Sequence, residues 1–303
     1  MGDRGLRQPP FETTLMGVAA AAAERHGLPA SVPALYGSSG HAFIINVHTA
    51  LCPSGPYCWR DDGFEELLGN LGLRRSCLGL FDSGSSGPQR AGVEGRVRDL
   101  MDRGVPCSLL NMEHQLITGY DDEGFDTAQP WPGMDFPPAR LTFGSWRELG
   151  DEVHAAFYAW ERTDPARFDR ALGDSLDFAL ALFDEPTRWA LDYYAMGMDA
   201  WQAWIDAVEA GHGGSHGAWW NARVWGECRL MAGRYVAEAA LRLHGPHTEL
   251  TELAGEYTRL GTGMHLAAGR KMDPSDKKVL LRELRGMESR CVGGLRRLRE
   301  ALR

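Results

Sequence analysis

The 303-residue chain predicts an α+β fold in its N-terminal part and an all-helical C-terminal part. Two observations set this reading. Short β-branched runs and Gly/Asp turns recur before about residue 140, whereas from Ser145 onward apolar residues recur at steps of three and four almost to the end. Between them the proline-rich stretch Gln129–Pro138 marks a boundary, giving an expected division into 1–140 and 141–303.

From Thr13 to His26, Leu15, Val18, Ala19, Ala22 and Ala23 share one helical face, with Thr13 or Thr14 as cap. Phe43-Ile44-Ile45-Asn46-Val47 reads as a buried strand. Phe64–Leu71 is a helix ended by Gly72, Gly84–Pro88 is a loop, and a helix resumes from Val93 to Arg103. Val105–Leu110 and His114–Tyr120 are strands, and Asp121–Gly124 makes the next turn. Helices are then expected over 147–162, 165–183, 187–210, 218–243, 248–260 and 275–302, with no repeat of fixed period. The last carries Leu280, Leu284, Met287, Cys291, Leu295, Leu298 and Leu302 as one stripe, which permits docking onto the helical part or self-association through 275–302.

Composition is that of a folded chain, 44% hydrophobic and 24% charged. A net charge of −9 disfavours nonspecific nucleic-acid binding. Arg270–Arg303 holds 11 Lys/Arg against 5 Asp/Glu, read as a basic face set against an acidic remainder, because it lacks the aromatic platforms RNA binding uses. No stretch reaches the length of a membrane span, and Met-Gly-Asp-Arg through Pro9-Pro10 lacks the apolar core of a signal peptide. Six cysteines spread from Cys52 to Cys291 are too sparse for a disulfide framework, so reduced thiols in a cytoplasmic protein are expected.

Chemistry-bearing residues gather in three places. In Gly37-Ser38-Ser39-Gly40-His41, the last residue breaks the Gly-x-Ser-x-Gly elbow, yet Ser39 and His41 stand at a strand entrance. His48, Cys52, Cys58 and Trp59 form a dense Pro/Gly loop. Its Cys-x5-Cys gap is unusual for zinc, so a metal site on His48, Cys52 and Cys58 is a third-ranked reading beside incidental thiols. His114 opens a strand one turn from Gly119-Tyr120-Asp121, a position suited to a general base. The pairs His212/His216 and His244/His247 are weak metal signals. No phosphate loop, dinucleotide fingerprint or His-Glu-x-x-His is present, and no cofactor is expected.

The helix Thr13–His26, the segment Gly27-Leu28-Pro29 through Gly37, the strand after Ser39-Gly40, Gly104-Val105-Pro106 and the His114–Asp121 strand-turn together resemble the N-terminal domain of butirosin-biosynthesis aminoglycoside acyltransferases. More distantly they are similar to double-glycine leader peptidases. The resemblance covers roughly residues 10–135 and implies a papain-like (cysteine-proteinase-like) domain ahead of the helical one. In that family a cysteine opens the first helix, a later histidine takes its proton, and an acid or amide orients the histidine. Here Phe11 stands at the nucleophile position, His114 matches the histidine, and Gln129-Pro130 stands where an Asp precedes proline.

Two functions follow. One is a binding protein that holds a small molecule, a peptide or an acyl carrier protein, with Phe11, His41, His48, Cys52, Cys58 and Trp59 as lining residues. The other is an acyltransferase or amidase whose nucleophile has moved to Ser39, Cys52, Cys58 or Cys107, with His114 or His48 as base.

Overall fold

The structure is a computed structural model that describes residues 5–131, 133–150, 153–243 and 248–302. In chain order the helices are α1 (Thr14–Arg25), α2 (Val32–Ser38), α3 (Asp62–Leu67), α4 (Gly87–Asp102), α5 (Phe168–Asp184), α6 (Pro186–Trp189), α7 (Gly197–Glu209), α8 (His216–Arg242), α9 (Thr248–Ala267) and α10 (Pro274–Ala301). The strands are β1 (Asn46–His48), β2 (Leu73–Phe81), β3 (Cys107–Asn111), β4 (Glu113–Tyr120), β5 (Gly124–Thr127), β6 (Arg140–Thr142), β7 (Ala155–Arg162) and β8 (Tyr194–Met196). The chain is thus mixed α+β with a helical C-terminal stretch. Among the described residues no helix is long and apolar enough to cross a membrane.

Two compact units emerge, Met1–Ala30 with Leu71–Pro165, and Ser31–Asn70 with Ala166–Arg303. Both are discontinuous, in contrast to the single cut at residue 140 expected from the sequence. The proline-rich stretch 129–138 joins β5 to β6 inside the first unit, and β7 returns to the same sheet after it.

The first unit is a six-stranded antiparallel sheet in the order β2-β7-β3-β4-β5-β6. On one face, Val93, Val97 and Met101 of α4 pack with Cys107, Ile117 and Phe157 in a closed apolar core. Helix α1 packs against β4. Because successive side chains on a strand alternate, His114 and Leu116 point away from the face that carries Ile117. Helix α4 starts at Gly87, earlier than expected, because Gln89 Oε1 accepts from the Ser86 backbone N at 2.8 Å and Pro88 suits the first turn.

The helix expected over 147–162 is instead a 3-10 turn, Arg147–Leu149, followed by strand β7. Lying between β2 and β3, β7 is buried on both faces, so Ala155-Ala156-Phe157-Tyr158-Ala159-Trp160 shows no alternation to distinguish it from a helix. Strand β2 gave no sequence signal. It is an edge strand with two arginines and an irregularity between Cys77 and Gly79, features that dilute a period of two.

The second unit is built around α8, which packs on α9 and α2, while α10 packs on α5, α7 and α9. Gly226, Gly233 and Gly261 let the α8 and α9 backbones approach, since a Cβ at any of them would meet the other helix at under 3 Å. The region 187–210 is not one helix but α6, strand β8 and α7, with β8 pairing antiparallel to β1. Within the run Phe43–Val47 only Asn46 and Val47 enter a strand, while His41–Phe43 form a 3-10 turn after Gly40 at φ 75°. The α10 stripe is buried in this unit at Leu284, Cys291, Leu295 and Leu298. Of the two roles read for it, docking within the helical bundle is the one the structure shows. The basic residues of α10 meet carboxylates of the same unit, Arg299 with Asp177, Arg296 with Asp184 and Arg290 with Glu256. At the bundle centre Arg229 and Glu288, both fully buried, pair at 2.8 Å, and Arg229 Nη1 donates to the carbonyls of Ala42 and Ile44.

Candidate functional site

In the first unit the chemistry-bearing groups collect where α1 begins beside β4. Thr14, the first residue of α1, is 1% exposed, and its hydroxyl donates to Glu113 Oε2 at 2.8 Å while accepting from the His114 backbone N at 3.1 Å. The Gln8 side chain lies along β4 as a strand would, donating to His114 O at 2.9 Å and accepting from Leu116 N at 2.8 Å. These contacts fix His114 and the start of α1 in one register. Glu113 and His114 are buried.

The His114 ring lies 6.5 Å from that of Tyr158 on β7, and the Arg75 guanidinium stacks 4.5 Å above the same Tyr158 ring. Ser108 accepts from Trp160 Nε1 at 2.8 Å in the neighbouring rows of the sheet. Phe11 is half-buried, two residues before the N-cap Thr13, and its carbonyl accepts from Trp131 Nε1 at 3.2 Å. Gln129, expected to orient His114, donates its amide to Pro137 O. Cys107 faces the α4 core rather than His114, and burial pushes its thiol up to about 12, only partly offset by Arg103.

The remaining sequence candidates lie in the second unit. Ser39 is fully buried, and its hydroxyl donates to the carbonyls of Leu35 at 2.6 Å and Tyr36 at 3.2 Å, closing the end of α2. It serves the end of the helix, with its proton given to backbone carbonyls. His41 is not a surface ligand. Its ring is enclosed by Tyr36, Trp59, Phe64 and Trp225 at centroid distances of 5.6 to 6.2 Å, with the Cys228 thiol 3.5 Å from Nδ1. This His–Cys contact has no local signal, because the partners lie 187 positions apart and Cys228 sits inside an ordinary helical period. Both residues are fully buried.

Around Tyr194 on β8 the structure does gather the dense loop. The His48 ring stands edge-on to Tyr194 at 5.0 Å, and Ser54 Oγ shares a 2.7 Å hydrogen bond with the Tyr194 hydroxyl. Burial, with Cys58 next, holds the Tyr194 phenol up to about 12. His48 Nδ1 accepts from Ala50 N at 3.0 Å, which leaves its proton on Nε2 in the neutral ring. Among the described residues no three His, Cys, Asp or Glu side chains are placed to hold a metal ion, so His48, Cys52 and Cys58 do not converge as ligands. Of the two weak pairs, His244 and His247 lie outside the described residues.

No protein-family model matches the chain, and no curated protein matches it either.

Proposed function

We propose that the first unit is a papain-like domain that binds a small molecule, a peptide or an acyl carrier protein at the His114 end of α1, without a covalent intermediate. One observation carries this reading. At the start of α1 the hydroxyl on hand belongs to Thr14, which is 1% exposed and already donates to Glu113, while Phe11 presents no nucleophile at all. What remains is a polar row in which the register of β4 is locked by Gln8 and Thr14, with the buried imidazole of His114 on β4, the partly exposed phenol of Tyr158 on β7 and the buried guanidinium of Arg75 on β2 in succession. Held geometry of that kind favours binding because little side-chain freedom is left to lose.

Saturation-transfer NMR with acyl thioesters, dipeptides and an aminoglycoside as separate probes tests the proposal. Contact signals from at least one class are expected, and they should vanish in His114→Ala while the variant keeps its fold. Equal signals from both proteins would remove the site from this end of α1.

A second reading has its own observation. The Cys58 thiol, the Tyr194 hydroxyl and the His48 ring are contiguous in the second unit, which is where a relocated nucleophile for acyl transfer or amide hydrolysis belongs. Its signature is an acyl group carried on Cys58.

A further inference from the structure

Backbone strain and aromatic exposure coincide at one end of the β1–β8 ribbon. Among the described residues four that are not glycine hold a positive φ, and two of them, Leu51 at 50° and Tyr193 at 69°, bracket this ribbon. Side chains of that bulk are disfavoured there and persist where a site holds them. Leu51 is accounted for by packing. It is buried, and α8 closes on it so tightly that a Cβ at Gly217 would lie 1.8 Å from its carbonyl oxygen. Tyr193 gains no such packing, being 77% exposed.

The groups around Tyr193 are neutral and polar. Thr49 N donates to Tyr193 O at 2.9 Å across the ribbon end. One pair further in, His48 stands opposite Tyr194 with its ring edge-on at 5.0 Å, and Ser54 Oγ shares a 2.7 Å hydrogen bond with the Tyr194 hydroxyl. Thr49 is exposed, and His48, Ser54 and Tyr194 are half-buried. With Nδ1 accepting from Ala50 N, the neutral His48 ring has Nε2–H as its donor. The loop carrying Ser54 is fixed from beneath. Asn46 Nδ2 donates to Gly55 O at 2.7 Å and Cys58 O at 2.9 Å, and Asn221 Nδ2 donates to Cys52 O at 3.1 Å. Charge is nearly absent: no Lys, Arg, Asp or Glu occurs from His41 to Trp59, and Asp192 is the only one from Trp189 to Gly197.

We propose that this ribbon end binds an uncharged saccharide. The C–H face of a sugar ring packs on an exposed tyrosine, whose ring is a large apolar surface with a polar tip. Sugar hydroxyls donate and accept, which suits the His48 Nε2–H, the Thr49 hydroxyl and the Ser54–Tyr194 hydroxyl pair. A nucleotide or other phosphate ligand calls for Lys or Arg, and neither stands in these segments. The fixed loop and the strained turn hold the groups in place before the ligand arrives, so little freedom is lost on binding. The site shares His48 and Tyr194 with the acyl-transfer reading but involves no covalent step.

The test is isothermal titration of the full chain with maltotriose, cellotriose and triacetylchitotriose in turn. Saturable binding of at least one is expected. Tyr193→Gly removes the ring while accepting a φ of 69° without strain, so the turn is kept and binding should weaken by about tenfold or more. Tyr193→Phe keeps the ring face and should stay close to the parent. His48→Phe, which keeps a ring and loses the Nε2 donor, should weaken binding as well. No binding of any of the three by the parent protein, or equal binding by the parent, Tyr193→Gly and His48→Phe, would overturn the proposal. Acyl labelling of Cys58 is read separately by mass, so failure of either reading leaves the other standing.

Discussion

At the scale of single residues, the anchoring of His114 depends on groups far from it in sequence. Thr14→Val removes a hydroxyl that serves Glu113 and the His114 backbone together. Loss of two buried hydrogen bonds predicts a stability decrease of about 2 kcal/mol in denaturant melts, with Thr14→Ser near the parent value. The Arg229–Glu288 pair gives a larger effect. Arg229→Met leaves the Glu288 carboxylate inside the bundle without its counter-charge and predicts a loss of about 3–5 kcal/mol. The double variant Arg229→Met/Glu288→Leu should recover much of that loss, and equal destabilisation of single and double variants would contradict the account. His114 was legible from its strand and turn. Its supports Gln8, Thr14 and Glu113 were not, because nothing local in a sequence reports a contact across 99 to 108 positions. The same reason hid the contact between His41 and Cys228.

At the scale of elements, close backbone approach decides which glycines matter. A Cβ at Gly226 would sit 2.2 Å from the His265 ring, which cannot swing aside freely because its Nε2 bonds Arg223 O at 3.0 Å. Gly226→Ala therefore predicts a loss of about 1–3 kcal/mol by overpacking the α8–α9 crossing. Gly92→Ala, on the exposed side of α4 with nothing within 4 Å, predicts a gain of about 0.5–1 kcal/mol from helix propensity alone. Thermal melts of the pair separate packing from propensity. The long helices α5, α8, α9 and α10 were legible from their apolar period, strands β3 and β4 from their runs, and the turn from β4 to β5 from Asp121–Gly124. Strand β7 was not, because a strand buried on both faces loses the alternation that identifies it. The start of α4 was masked by Gly87 and Pro88, which read as loop until the Ser86–Gln89 cap is seen.

At the scale of the whole molecule, burial of weak acids sets the response to alkali. Burial raises the Cys107 thiol from 9.0 to about 12 and the Tyr194 phenol from 10.0 to about 12, and raises Tyr235 and Tyr257 as well. In each case the folded value exceeds the unfolded one, so the folded chain holds protons that the unfolded chain has released. The resulting stability is fully present below about pH 9 and is lost as pH rises toward 12. Urea midpoints measured in steps from pH 8 upward should fall through that window, and a flat profile would contradict the burial of these groups. The α+β character and the helical C-terminal stretch were legible from periodicity. The discontinuous division into units was not, because the proline-rich segment that signalled a boundary is an internal connection of the sheet.

The central claim, that the first unit binds without covalent chemistry, meets its most direct test in intact-mass analysis after incubation with a panel of acyl thioesters and an acid quench. The protein should carry Cys77→Ser, because that exposed thiol exchanges with thioesters chemically. The account predicts an unmodified mass under conditions in which a control acyltransferase is fully labelled. A stable acyl adduct mapped to a single residue would contradict it, and an adduct on Cys58 would move the chemistry to the Tyr194 cluster.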